Sequence, residues 1–175
     1  MLIQRVRWFE REFVFDLPVW MFPNVLERVR GTPARLEDLL RPLPRELVTR
    51  RDGERWSMQE HAGHLLDLGE LDLARLEDFR AGRERLRPAD LQNRKTHEAD
   101  HNAAPLDSIL RAFRAERAAF VRGLEEFDEG AILRTAIHPR LGQPMRVLDF
   151  AFFIAEHDDH HLAAVSELVA KFSPT

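Results

Sequence analysis

The stretch MRVLDFAFFIAEHDDHHLAAVSELVAKF, residues 145–172, decides the fold. Val147, Phe150, Ile154, Val165, Leu168 and Phe172 recur in it at helical spacing, so one face of a long helix, running from about Met145 to Phe172, looks into a core. Two positions of that stripe are not apolar. His157 and His161 stand where the steps 154, 157, 161, 165 place core residues. At 3.6 residues per turn they project from the same face, one turn apart. Two neutral imidazoles at i and i+4 can grip one divalent metal ion. His160 lies roughly 80° from the stripe centre and reads as a flanking residue rather than a ligand.

A second helix supplies a face for that stripe to meet. Ser57-Met58-Gln59-Glu60 is a capping box, in which the Ser57 hydroxyl accepts from the Glu60 amide and the Glu60 carboxylate reaches back to Ser57. Leu65, Leu68, Leu71 and Phe79 then predict one continuous helix ending near Ala81-Gly82. With Leu68 at the centre of its buried face, His61 and His64 fall to either side of that centre, and one or both point inward. Burying an unpartnered imidazole costs free energy, and a metal reached from two helices removes that cost for three rings together. Three protein ligands with an open position are the pattern of a catalytic metal site rather than a structural one.

The remaining segments complete a bundle. A first helix runs from Pro23 to Leu40, with a bend expected near Thr32-Pro33. A third opens at Pro105 and carries Leu106, Leu110, Phe113, Phe120, Leu124 and Phe127 on one face. Residues 1–20 read as an irregular arm. Residues 83–104 are polar, contain Pro88 and end at Pro105, forming a long loop with room for one short turn of helix. Compact domains keep loops of that length for functional segments, such as covers over a site. Asp52-Gly53 sits in a polar loop, not between alternating apolar runs, and no strand pair is expected. The fold class is therefore all-α: a single domain over residues 1–175, a four-helix bundle with long inter-helix loops.

Composition narrows the function. The chain has 175 residues, 44% hydrophobic and 32% charged, with net charge −4 and no block of like charge. Nothing there suits a nucleic-acid or membrane surface. The arginines alternate with Glu and Asp along the helices, as solvated faces do. Cysteine is absent, which excludes disulfides, iron–sulfur clusters, thiolate zinc sites and a cysteine nucleophile. No apolar run approaches the roughly 20 residues of a membrane span. The opening MLIQRVRWFEREF lacks the apolar core of a signal peptide, so a cytoplasmic protein acting on a small-molecule substrate is expected. Leu66 and Leu73, apolar but off the core stripe, hint at a dimer surface, and either a monomer or a homodimer fits.

One competing motif needs an answer. His97-Glu98-Ala99-Asp100-His101 matches H-E-x-x-H, the zinc-protease pattern. That motif requires an apolar-faced helix, whereas its flanks here are Arg94, Lys95, Asn102 and Pro105. A polar loop whose histidines meet solvent or line the mouth of the main site is the better reading.

Trp56-Ser57-x-x-Glu60-x-x-x-His64, followed far downstream by His157-x-x-x-His161, resembles the DinB/YfiT-like superfamily. Thr32-Pro33-Ala34-Arg35-Leu36 and His138-Pro139 are similar to its YfiT branch, and the likeness covers roughly residues 24–172. The resemblance implies a four-helix bundle with a divalent metal, often zinc or nickel, held by His64, His157 and His161. It thereby selects His64 over His61. It also implies a choice of chemistries, since some relatives are thiol transferases using bacillithiol or mycothiol, or isomerise maleylpyruvate with mycothiol, while others bear the label of metal-dependent hydrolase. No role transfers to Arg140, and the arm through Pro23 has no counterpart.

A metal with an open position can activate a bound water or thiol, or polarise a substrate oxygen. A chain without cysteine must receive any thiol as a cosubstrate. The expectation is therefore a metal-dependent transferase moving a low-molecular-weight thiol of the bacillithiol type to an electrophile. A hydrolase using activated water is the first alternative, and a non-catalytic metal-binding bundle the second.

Overall fold

The computed structural model describes residues 5–173; the first four residues of the expected arm and the last two of the chain lie outside the described residues. The helices are α1 (Phe22–Leu40), the short α2 (Arg45–Val48), α3 (Met58–Asp67), α4 (Gly69–Arg80), the short α5 (Arg94–Glu98), α6 (Leu106–Glu125) and α7 (Val147–Phe172). Strands β1 (Thr135–Ile137) and β2 (Pro144–Arg146) pair antiparallel ahead of α7. The arm is irregular apart from two single 3₁₀ turns, at Trp8–Glu10 and Val19–Met21.

The capping box forms as expected: Glu60 N–H donates to Ser57 Oγ (3.1 Å), and Ser57 N–H to Glu60 Oε2 (2.8 Å). Two expectations are corrected, and the expected first helix is continuous through Pro33. The helix expected from Ser57 to Ala81 is two helices, because regular geometry lapses at Leu68 and restarts at Gly69, where Glu116 of α6 packs within 3.0 Å of where a Cβ would stand. The absence of any strand pair is overturned by β1–β2, whose three-residue strands bury only Ala136 and Met145 and are too short to show alternation. Leu66 and Leu73 are half-buried and pack against the core, so they form no exposed apolar patch.

Helix directions follow from their contacts. Arg80, at the end of α4, donates to Gly123 O near the end of α6 (2.8 Å), while Gln59, at the start of α3, reaches Ala104 O just ahead of α6 (2.9 Å). α3–α4 and α6 thus run the same way. α1 opposes α6, with Arg114 on Glu37 and Arg30 on Glu125, and α7 runs with α1. Two parallel neighbours need a connection that returns along their full length, which is the physical reason for the long segment 83–104.

Apolar packing falls into two halves. One holds Val25, Val29, Leu76, Phe79, Phe120 and Phe150; the other holds Leu36, Leu40, Leu65, Leu110, Phe113 and Val165. Between them lies a polar tier. Arg117 of α6 donates to Asp158 of α7 (2.8 Å) and faces Asp72 of α4 at 3.7 Å, while Thr32 of α1 donates to the other Asp158 oxygen (2.8 Å). All four side chains are buried. Their pairing answers the rule that buried charge must be compensated.

Candidate metal centre

The triad sits at the level of this tier. His157 and His161 project from α7 as the stripe predicts, and His64 comes from α3; they are 9%, 6% and 4% exposed. One ring nitrogen from each lies within 4.8 Å of the other two. His157 Nε2 and His161 Nε2 are 3.1 Å apart, aimed at a common point. Burial is the main cause that holds all three imidazoles below their usual range, His64 at about 4. They are therefore neutral at pH 7, the form that ligates a metal.

Hydrogen bonds outside the triad decide which nitrogen is free. Asp67 is held below the usual carboxylate range by His101, Thr96 and Lys95, against the opposing effect of burial, and so only accepts. Thr96 must then give its proton to Asp67 (2.9 Å), leaving its oxygen to accept from His64 Nδ1–H (3.1 Å). His64 Nε2 keeps its lone pair. His101 closes the relay by donating Nε2–H to the same Asp67 oxygen (2.8 Å). Its ring rests on Gly63, where a Cβ would come within 2.2 Å of it. His61 Nδ1 lies 2.8 Å from His161 Nδ1, placed to accept that proton once His161 Nε2 binds metal. This outer arrangement is the kind that orients metal-binding histidines. The residues fit a divalent ion.

His61 and His64 both point inward, but only His64 joins the cluster; His61 supports His161. His160 flanks as expected, half-buried with its ring against Arg5 and Trp8. The H-E-x-x-H stretch builds no site. α5 ends at Glu98, Asp100 has φ 45°, and the two histidines diverge. His97 is exposed beside Trp56, with ring centroids 5.6 Å apart, while His101 is buried on Asp67. Sequence reading missed Thr96, Asp67 and Trp8; of these only Asp67, three residues after His64 on the same helix, left a local signal.

The triad opens on a cavity of about 1050 Å³. Trp8 from the arm lines it and packs on the His157 ring at 4.8 Å. Trp56, Asp72, Arg75, His138 and Arg140 bring charge and aromatic surface, and residues 88–91 and Asn93 of the long segment form part of the wall. That segment does border the site, as its length suggested.

A helical bundle with three histidines converging from two helices defines a class. The DinB superfamily model matches residues 28–165, and the chain belongs to that superfamily. Among solved structures it is similar to YfiT from Bacillus subtilis, described as a probable metal-dependent hydrolase with an unusual four-helix bundle topology: TM-score 0.78, 18% identity, 93% of each chain covered. It is also similar to a mycothiol-dependent maleylpyruvate isomerase, with TM-score 0.66 and 13% identity over 86% of this chain and 62% of that one. No curated protein matches the sequence. Among the described residues no helix is long and apolar enough to cross a membrane.

Proposed function

We propose that the chain is a metal-dependent enzyme that transfers a low-molecular-weight thiol to an electrophilic small molecule. His64, His157 and His161 would hold one divalent ion, zinc or nickel. The observation that carries this reading is the cavity: its volume of about 1050 Å³ is at the upper end of what single ligands occupy and gives room for two reactants beside the triad. When bound, the ion supplies Lewis acidity that lowers the pKa of a thiol. The chain's own residues hold the reactants: Trp8 and Trp56 offer flat apolar walls, and the relay from Thr96 to His101 keeps His64 in one tautomer. A monomer or a homodimer acting on small molecules, in the cytoplasm, completes the proposal.

One observation favours the hydrolytic alternative. Asp72 lines the cavity, and burial pushes its carboxyl up to about 7 despite Arg117 and Arg75, which suits a group that takes a proton from water near neutral pH. The deciding experiment is turnover of metal-assayed protein on a panel of electrophiles and esters, with and without bacillithiol, mycothiol and glutathione. Thiol-dependent consumption of electrophile is the expected result. Ester cleavage that ignores thiol would replace the transferase by the hydrolase.

A further inference from the structure

Away from the triad, the same cavity carries donors with nothing to receive them. His138 and Arg140 stand on the turn between β1 and β2, shaped by Gly142 at φ 67°. His138 Nδ1 accepts the Leu141 amide (3.3 Å), so its proton sits on Nε2, and that buried N–H has no partner among the described residues. Arg140 Nη2 is likewise buried and unpartnered among the described residues. Its guanidinium lies 5.4 Å from the Phe9 ring, 5.5 Å from Trp8 and 5.6 Å from Phe153. Arg75, only 4% exposed, uses Nε on the Arg87 carbonyl (3.1 Å) and makes no ion pair among the described residues. All three line the space that His157 lines. Native interiors rarely leave buried donors unpaired, and two on neighbouring residues that line one cavity mark a place where a ligand brings the acceptor.

Charge selects the acceptor. Around the tier and this wall stand the guanidiniums of Arg75, Arg117 and Arg140 against the carboxyls of Asp72 and Asp158. With both carboxyls ionised one positive charge is left over, and burial, which pushes Asp72 and Asp158 toward their neutral forms, makes that excess no smaller, so the wall favours an anion. Burial pushes the pKa of Arg75 and Arg140 down, as it does for cations short of a counter-ion. We propose that Arg140, Arg75 and His138 form a subsite for one carboxylate of a ligand whose reacting end lies at the triad. The subsite deepens the small-molecule reading above and rests on it. The carboxylate belongs either to the thiol or to the electrophile, and the test separates the two.

Titration calorimetry on metal-loaded and metal-stripped protein provides that test. The probes are S-methylglutathione, whose thiol is blocked, and succinate, each beside its dimethyl ester. The acid is expected to bind at least about tenfold more tightly than the ester, and to keep its affinity after the metal is removed. Arg140→Gln should weaken binding about tenfold, the loss expected for one charge-assisted hydrogen bond. His138→Gln should weaken it too, and provides the measurement should Arg140→Gln fail to fold. Arg134→Gln, an exposed residue just ahead of β1, should change nothing. Preference for S-methylglutathione assigns the carboxylate to the thiol, and preference for succinate to the electrophile; both support the subsite. No binding of either probe, esters binding as tightly as acids, full affinity in both variants, or binding that vanishes with the metal would overturn it. A protein that takes up no metal yet binds the probes would instead sink the metal reading and leave the subsite standing.

Discussion

His64 depends on a hydroxyl 32 residues further along the chain, and that dependence can be measured. Thr96→Val keeps the shape of the buried side chain but removes the oxygen that orients His64 Nδ1–H. Metal affinity should fall about 10–100-fold, the usual cost of losing such an outer partner, in competition against a chromophoric chelator. In the same assay His161→Ala should lose most of the ion while His160→Ala keeps it; full metal in His161→Ala would refute the triad. At this scale the sequence is legible where a helix imposes its period. His157 and His161 were readable because they interrupt an apolar stripe; the helix start at Ser57 narrowed the third ligand to His61 or His64, and only the family resemblance selected His64. Thr96, His101 and Arg140 were not, because loops carry no period and only the folded chain brings them to the site.

Helix starts were better marked than helix ends or breaks. Ser57 caps α3 and also donates to Asn102 Oδ1 (2.7 Å), tying the long segment to the helix start. Ser57→Ala should therefore lower stability by about 1 kcal/mol or somewhat more, read from the denaturant midpoint at constant slope; an unchanged midpoint would show that the cap contributes nothing. The break at Leu68 left no proline or glycine pair in the stripe to announce it, since Gly69 alone is tolerated inside helices. Glu116 of α6 packs against Gly69 at that point, a tertiary contact that a local sequence pattern does not record. The hairpin escaped for a related reason: its strands are held by Leu86 and Glu84 of the long segment, through Leu86 N–H to Ile137 O (3.1 Å) and Ile137 N–H to Glu84 O (2.8 Å), rather than by their own pattern.

The whole molecule is organised around its polar tier. Arg117→Ala would leave the Asp158 carboxylate buried without its cation, and a loss of about 3–5 kcal/mol is expected, measurable by chemical unfolding; a loss below 1 kcal/mol would show that water reaches the tier. The pH response of metal-stripped protein follows from the histidines. His61, His64, His138, His157, His160 and His161 are all held below 6.5, chiefly by burial. Their unfolded forms take up protons near 6.5 while the folded ones wait for lower pH, so the unfolded state binds more protons there and stability falls as pH drops through 6.5. Asp72 and Asp158 are shifted upward and act in the opposite sense, but the imidazoles outnumber them. The thermal midpoint should decline steeply below about pH 6.5, each net proton contributing about 1.4 kcal/mol per pH unit; a flat profile from pH 8 to 5 would show the rings to be solvated. The tier also divides the molecule's cooperativity. The buried apolar residues form two separate clusters with Arg117, Asp158, Asp72 and Thr32 between them, and α3 gives way to α4 at that level. The amides of α3 and the C-terminal half of α7 should exchange with deuterium as one set, and those of α4 and the N-terminal half of α7 as another. A metal ion gripping α3 and α7 from within the seam should then slow the first set more than the second; identical exchange energies in both sets, with and without metal, would mean that the bundle opens only as a whole.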